Sequence, residues 1–221
     1  MKRFKNPNTN IKKMLAQWDA EIPESILLQQ KQRQSRRLFF GQSVALIGGV
    51  ATASWVSAKG STKASLKPVL SEPWLTVSAV QEHLFPRITG EHASPGARDI
   101  QALEYLQAML NTPDVDSDEG DFIIKGVGWL NGVANNLAGH PFIKLNKADR
   151  ERVLKKISAS TSGENWLSML LNYIFEALLT DPVYGGNTNK TGWQWLEHQA
   201  GFPRPPTDKK YWLLDKYKRA I

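Results

Sequence analysis

The sequence predicts an all-α protein, and three observations carry that expectation. Between residues 74 and 180 apolar side chains recur at three- and four-residue steps, the spacing of one helix face. No run keeps the strict alternation of a half-exposed strand. One stretch, 163–180, is apolar nearly all round and must be covered on most sides. The expected architecture is a bundle of about five helices with an irregular, aromatic-rich C-terminal tail, preceded by a signal segment.

The first helix starts near Trp74, with Thr76 as its expected cap, and presents Val77, Val80 and Leu84 on one face before Pro86 stops it near Phe85. After the loop RITGEHASPG, the stripe Ile100, Leu103, Leu106 and Leu110 predicts a second helix from Ala97 to Leu110, ended by Asn111, Thr112 and Pro113. A third is expected over 122–138. A fourth begins at Asn146, with Asp149 three residues on and Val153, Leu154 and Ile157 turned inward. Ser162 is the expected start of the fifth, which carries Trp166, Met169, Leu170, Tyr173, Ile174, Ala177 and Leu178 among its apolar residues.

Composition removes several function classes. The chain has 221 residues and no cysteine, so a disulfide scaffold, thiolate catalysis and c-type haem attachment are all excluded. Its formal charge of +7 is concentrated at one end. Residues 1–37 hold nine Lys and Arg against Asp19, Glu21 and Glu24, which leaves the remainder within one charge of neutral. A near-neutral domain has little excess charge from which to build a phosphate-binding face, so nucleic acid is not an expected partner.

Residues 38–58 are 21 consecutive positions without a charge, directly after Ser35-Arg36-Arg37 and before Lys59. This is the layout of a secretory signal. The arginine pair with Ser35 and Phe39 resembles the twin-arginine export signal, and Val56-Ser57-Ala58 offers a small-residue cleavage site. The competing reading is an uncleaved anchor, against which Gln42, Ser43, Gly48 and Gly49 make the stretch only moderately apolar. The expected division is an export signal with a long polar, flexible lead-in over 1–58, a linker over 59–73 and a helical domain over 74–221.

Several motifs come close to a known chemistry and miss. Lys125-Gly126-Val127-Gly128-Trp129-Leu130-Asn131-Gly132 approaches a dinucleotide fingerprint, but its third glycine falls on Asn131 and no alternation of strand and helix follows. Close helix packing is the better account of these glycines. Asp114, Asp116 and Asp118 alternate as calcium ligands do, yet Glu119 and Lys125 stand where an EF-hand needs glycine and a bidentate glutamate. His83, His92, His140 and His198 are scattered, with no pair at one helical turn. No Gly-x-Ser-x-Gly elbow is present. No catalytic, cofactor-binding or metal-binding residue is therefore assigned.

The informative segment is DPVYGGNTNKTGWQWLEHQAGFP, 181–203. Pro182 ends the preceding helix, Gly185 and Gly186 open backbone angles closed to other residues, and Asn187 braces a turn. Tyr184, Trp193 and Trp195 set large rings on this irregular stretch, which suits either a protein interface or the pinning of the tail to the bundle.

The run Asp181-Pro182-x-Tyr184-Gly185-Gly186-Asn187, with Gly192-Trp193 and Gly201-Phe202-Pro203 after it, resembles the gluconate 2-dehydrogenase subunit 3 family. Leu84-Phe85-Pro86, Pro95-Gly96-Ala97, Gly139-His140-Pro141-Phe142 and Leu145 extend the likeness over about 74–205. The resemblance implies a small, helical, non-catalytic subunit of a periplasmic or membrane-associated sugar or polyol dehydrogenase. FAD would reside in a large flavoprotein partner, and haem c in a c-type cytochrome subunit where one is present. The small subunit would lend its twin-arginine signal to the flavoprotein, with Arg36 and Arg37 read by the export machinery and 181–195 shaping the docking surface. The alternative from the residues alone is an autonomous periplasmic enzyme or ligand-binding domain whose polar groups converge only in three dimensions.

Overall fold

The computed structural model describes residues 7–28, 70–113, 115, 117–201 and 204–213. Its helices are α1 (Pro7–Ala20), α2 (24–28), α3 (Trp74–Leu84), α4 (Ala102–Leu110), α5 (Ser117–Ala138), α6 (Lys147–Ile157), α7 (Thr161–Leu179) and α8 (Thr191–Trp195). Short 3-10 turns lie at Phe142–Lys144, Pro182–Tyr184, Thr188–Lys190, Thr207–Lys209 and Tyr211–Leu213. Among the described residues there is no strand, and the only bridge joins Ile88 to Ser94. The all-α expectation holds. Among the described residues the helices number eight rather than about five, because the lead-in supplies α1 and α2 and the tail supplies α8.

α7 is the axis. It packs against α1, α3, α4, α5, α6 and α8, which explains why its sequence is apolar nearly all round. Trp166, Met169, Leu170, Tyr173, Ile174, Ala177 and Leu178 are all buried. Trp166 is fully buried and its indole Nε1 donates to the Ile123 carbonyl at 3.0 Å, a hydrogen bond inside the core.

Helix starts divide into those set by the neighbouring residues and those set from elsewhere. Asn146 caps α6 as expected, accepting from the Asp149 N–H at 2.9 Å. Thr76 does not cap α3. It lies in the first turn, where its N–H and hydroxyl both donate to the Glu72 carboxylate, at 3.3 and 3.0 Å. Ser160, not Ser162, caps α7 by accepting from the Gly163 N–H at 3.1 Å. Ser162 is taken by α1: its N–H donates to Asp19 at 2.7 Å and its hydroxyl to the Trp18 carbonyl at 3.0 Å. α4 begins at Ala102 rather than Ala97 because Gln101 sits at φ +53, which breaks the helix just before its stripe. α5 begins five residues before the expected start.

The larger departure is at the N-terminus. Residues 7–28, expected as a flexible polar lead-in, contain helices built into the core: Ile11, Leu15, Trp18 and Ile26 are buried. Trp18 stacks on Trp129 with ring centroids 6.2 Å apart and 9° between planes, and meets Trp166 edge-on at 6.3 Å. Phe122 completes this aromatic knot at 6.4 Å from Trp18. The glycines of the near-fingerprint explain the fit. A Cβ on Gly126 would lie 2.1 Å from the Trp166 ring, and one on Gly132 would lie 2.4 Å from Met14. The helix stripe Ile11, Leu15, Trp18 was the signal available in the sequence; nine basic residues nearby made the segment read as a leader instead.

Candidate functional site

The family-like segment closes the C-terminal end of α7. The last carbonyls of any helix lack intrahelical partners, and here side chains from the following turn supply them. Asn187 Nδ2 donates to the Thr180 carbonyl at 2.9 Å, and Trp193 Nε1 donates to the Leu179 carbonyl at 2.7 Å. Asn187 is fully buried and uses every polar group it has. Its Oδ1 accepts from the Gly192 N–H at 2.7 Å, its N–H donates to the Ile100 carbonyl at 2.9 Å, and its own carbonyl accepts from the Lys190 N–H at 2.8 Å.

The turn reaches these positions through backbone that most residues avoid. Gly185 is at φ +101, where a side chain would be strained, and Asn187 at φ +48, which asparagine tolerates better than most residues do. Space is equally short: a Cβ on Gly186 would lie 2.9 Å from α7 backbone at Ala177, and one on Gly192 would lie 2.2 Å from the Leu178 carbonyl oxygen. The same contact reaches across to α4. Asn187 binds the Ile100 carbonyl and the Thr188 hydroxyl donates to Gln101, so the irregular backbone before α4 is held by the turn.

Asp181 anchors the entrance. One of its oxygens accepts from the Val183 N–H at 3.0 Å, with Pro182 opening the 3-10 turn, and Arg204 donates to both oxygens at 2.7 and 2.9 Å. The Arg204 hydrogen bond, aided by the Val183 N–H, holds the Asp181 carboxyl below the usual carboxylate range against a smaller opposing effect of burial. Arg204 also lies over the Trp193 ring at 5.5 Å. Tyr184 packs on Trp212 at 5.3 Å.

The structure therefore brings Asp181, Pro182, Tyr184, Gly185, Gly186, Asn187, Gly192 and Trp193 together at one end of α7. It separates Trp195, which is 42% exposed and touches Phe85 edge-on at 6.1 Å. Other apolar side chains at this end also face outward: Phe175 and Leu179 of α7 are 45% and 53% exposed, and Leu196 beside Trp195 is 42% exposed. Sequence reasoning missed Phe175 and Leu179 as surface residues because a helix apolar on all sides gives no cue as to which side is left uncovered. Two of the upstream motifs meet, since the Ala97 N–H donates to the Phe85 carbonyl at 2.8 Å; Phe142 of the third is fully buried, its N–H donating to Asn131 at 2.9 Å. The export residues Ser35, Arg36, Arg37 and Phe39 and the cleavage residues Val56 and Ala58 lie outside the described residues, as do Asp114 and Asp116; Asp118 is in the first turn of α5.

Beside the turn is a cleft of about 450 Å³ lined by Tyr105, Glu119, Tyr173, Glu176 and Tyr184 among others. Four of its polar side chains are engaged in pairs. The Tyr173 hydroxyl donates to buried Glu119 at 3.0 Å and the Tyr105 hydroxyl to Glu176 at 3.4 Å. Burial first, then the Glu119 charge, pushes the Tyr173 phenol far above its usual value, so it remains a donor and cannot serve as a base near neutrality. This arrangement ties α4, α5 and α7 together and offers no activated proton acceptor at Tyr173. Among the described residues no three or more His, Cys, Asp or Glu side chains gather as a metal site, and no helix is long and apolar enough to cross a membrane.

Comparisons with curated proteins and with solved structures find no match. A family described as Gluconate 2-dehydrogenase subunit 3 does match, over residues 71–201. That span runs from just before α3 to just past α8 and takes in the whole turn at the end of α7. By a match covering more than half its length, the chain belongs to the gluconate 2-dehydrogenase subunit 3 family.

Proposed function

We propose that this chain is the non-catalytic small subunit of a periplasmic or membrane-associated FAD-dependent sugar or polyol dehydrogenase, which it stabilises and accompanies across the membrane. Membership of a family named for a dehydrogenase subunit is the observation that carries the reading. A subunit needs a surface for its partner, and exposed Phe175, Leu179, Trp195 and Leu196 supply apolar side chains at the end of α7. Phe175 and Leu179 project from α7, and the turn at 181–193 fixes the backbone that leads to Trp195 and Leu196. FAD belongs to the partner in this reading, and haem c to a third, cytochrome subunit. Arg36 and Arg37 address the pair to the twin-arginine export machinery.

The test is co-expression with the flavoprotein subunit and assay of dehydrogenase activity, with an artificial electron acceptor, in cytoplasmic and periplasmic fractions. Replacing Arg36 and Arg37 by lysine is expected to strand the activity in the cytoplasm. Undiminished periplasmic activity would refute the export role. Leu179→Asp is expected to reduce co-purification of the flavoprotein while the helical spectrum of the chain stays intact. Sugar oxidation by the isolated chain would instead favour an autonomous enzyme.

A further inference from the structure

The seat of α1 and the crossing of a membrane by residues 38–58 require opposite arrangements of the same chain. α1 lies against α5 and α7, with Trp18 enclosed by Trp129, Trp166 and Phe122. Hydrogen bonds fix its register at both ends: Asn10 donates to Asn136 at 2.7 Å, and Asp19 accepts from the Ser162 N–H at the start of α7; α2 adds a contact from Ser25 to Asp118 at 2.9 Å. Residues 7–28 and 70–213 are thereby on one side of any membrane. The 21 uncharged residues at 38–58 lie between them, and about 20 suffice for one helical crossing. A single crossing would put α1 and the rest of the bundle on opposite sides. Both arrangements cannot hold at once.

We infer that α1 is a latch on export: seated between α5 and α7 it holds the chain in its precursor arrangement, and its departure from that seat is a step in translocation. The inference rests on the reading of Arg36 and Arg37 as an export signal. The seat of α1 between α5 and α7 is itself independent of that reading. The seat exists only when α5 and α7 are folded together, so docking of α1 reports that the bundle is complete. The seated helix lies outside the family match, which begins at residue 71, so the latch is carried by a segment beyond the matched region. The aromatic knot at Trp18 is the strong part of the seat, and the contacts nearer the start of α1 are weaker. Gly132 accommodates the flexible end of Met14 rather than a rigid ring, and the Asn10–Asn136 contact is at the surface.

The chain has no cysteine, so two introduced thiols can be linked without competition. The full-length Asn10→Cys/Asn136→Cys variant would be purified, treated or not treated with a short bis-maleimide, and offered to inverted membrane vesicles carrying the twin-arginine machinery. Protease-protected bundle inside the vesicles is the readout, and Asn10→Cys alone with the same reagent is the control. Linking is expected to lower import at least tenfold relative to the same protein unlinked. Asp19→Ala, which removes the carboxylate from the start of α7 and leaves the aromatic knot in place, is expected to raise the import rate roughly threefold or more, as loss of one helix-capping contact would. Equal import of linked and unlinked protein, or an unaltered rate for Asp19→Ala, would overturn the latch while leaving the export signal standing. An unlinked chain that is not imported, or a double-lysine variant imported as well as its parent, would overturn the signal reading and the latch with it.

Discussion

The two ends of α7 are closed with different emphasis. At its N-terminal end the partner is α1, more than 140 residues away in sequence, and the hydrogen bonds of Ser160 and Asp19 are backed by interlocking rings: Trp18 against Trp129, Trp166 and Phe122. At its C-terminal end the partner is the segment that follows directly, and closure comes from backbone approach at Gly186 and Gly192 and from hydrogen bonds to Thr180 and Leu179. Ring packing is tolerant of chemistry but demands volume. Hydrogen-bonded closure demands particular atoms in particular places. The difference explains why one end carries a family motif and the other carries none that could be read.

If that contrast is right, the ends should fail differently. The largest effect is expected at Trp18, which is 1% exposed. Trp18→Ala removes the centre of the knot and should destabilise the chain by about 3–5 kcal/mol, the usual range for emptying a buried aromatic site. Denaturant unfolding of full-length protein measures this. A loss below about 1 kcal/mol would mean that α1 rests on the bundle without contributing to it, and the comparison would break at its first term.

Next in size is Asn187→Ala. The substitution removes the partners of the Gly192 N–H and the Thr180 carbonyl and leaves a residue at φ +48 that alanine disfavours. A buried polar group left unpaired costs about 1–3 kcal/mol, so a total of about 2–4 kcal/mol is expected. Asn187→Asp sharpens the point. It keeps the acceptor toward Gly192 but places an oxygen against the Thr180 carbonyl oxygen, so it should be no better tolerated than alanine despite near-equal size. Equal stability of Asn187→Asp and the parent would show that volume, not hydrogen bonding, closes this end.

How much of each end was legible follows from where its information lies. The cap at Asn146 and the turn chemistry of 181–193 are local, set by residues within a few positions, and local patterns are what a single sequence displays. The Gly126 and Gly132 spacing was legible as close packing, but not the identity of what approaches, because Trp166 and Met14 arrive from distant helices. Thr76 and Ser162 were plausible caps by residue type, but Thr76 donates to Glu72 four residues before it, and tertiary structure draws Ser162 to Trp18 and Asp19. The break at Gln101 combines a local turn, in which the Gln101 N–H donates to the Arg98 carbonyl, with bonds from the distant turn at Asn187 and Thr188, which the sequence around it does not display. α1 was legible in principle from Ile11, Leu15 and Trp18, but charge composition outweighed three residues of periodicity. Trp195 was grouped with Tyr184 and Trp193 as large rings on one irregular stretch; on the short α8 the two tryptophans part, Trp193 turned inward and Trp195 left at the surface.

The smallest effect probes the polar end through pH. Arg204 donates to both oxygens of Asp181 and is itself about 38% exposed on its side chain, so solvent screening limits the pair to less than about 1 kcal/mol. The folded-state value of Asp181 is lowered, chiefly by Arg204. A carboxyl lowered on folding adds stability that is complete above its unfolded value, about 3.9, and is lost as pH falls through its folded value. Arg204→Met should therefore differ most from the parent near pH 6, and the gap in unfolding midpoint should narrow as pH falls below about 4, where Asp181 takes up a proton in the parent as well. The gap should not close entirely. Arg204 also covers the Trp193 ring, a contact that does not titrate, so the difference remaining in acid measures the ring contact and the part that disappears measures the ion pair. Added salt at pH 6 should remove much of the second portion and little of the first. A gap constant across this pH range would assign the whole effect to packing, and the C-terminal end of α7 would then resemble its N-terminal end more closely than its hydrogen bonds suggest.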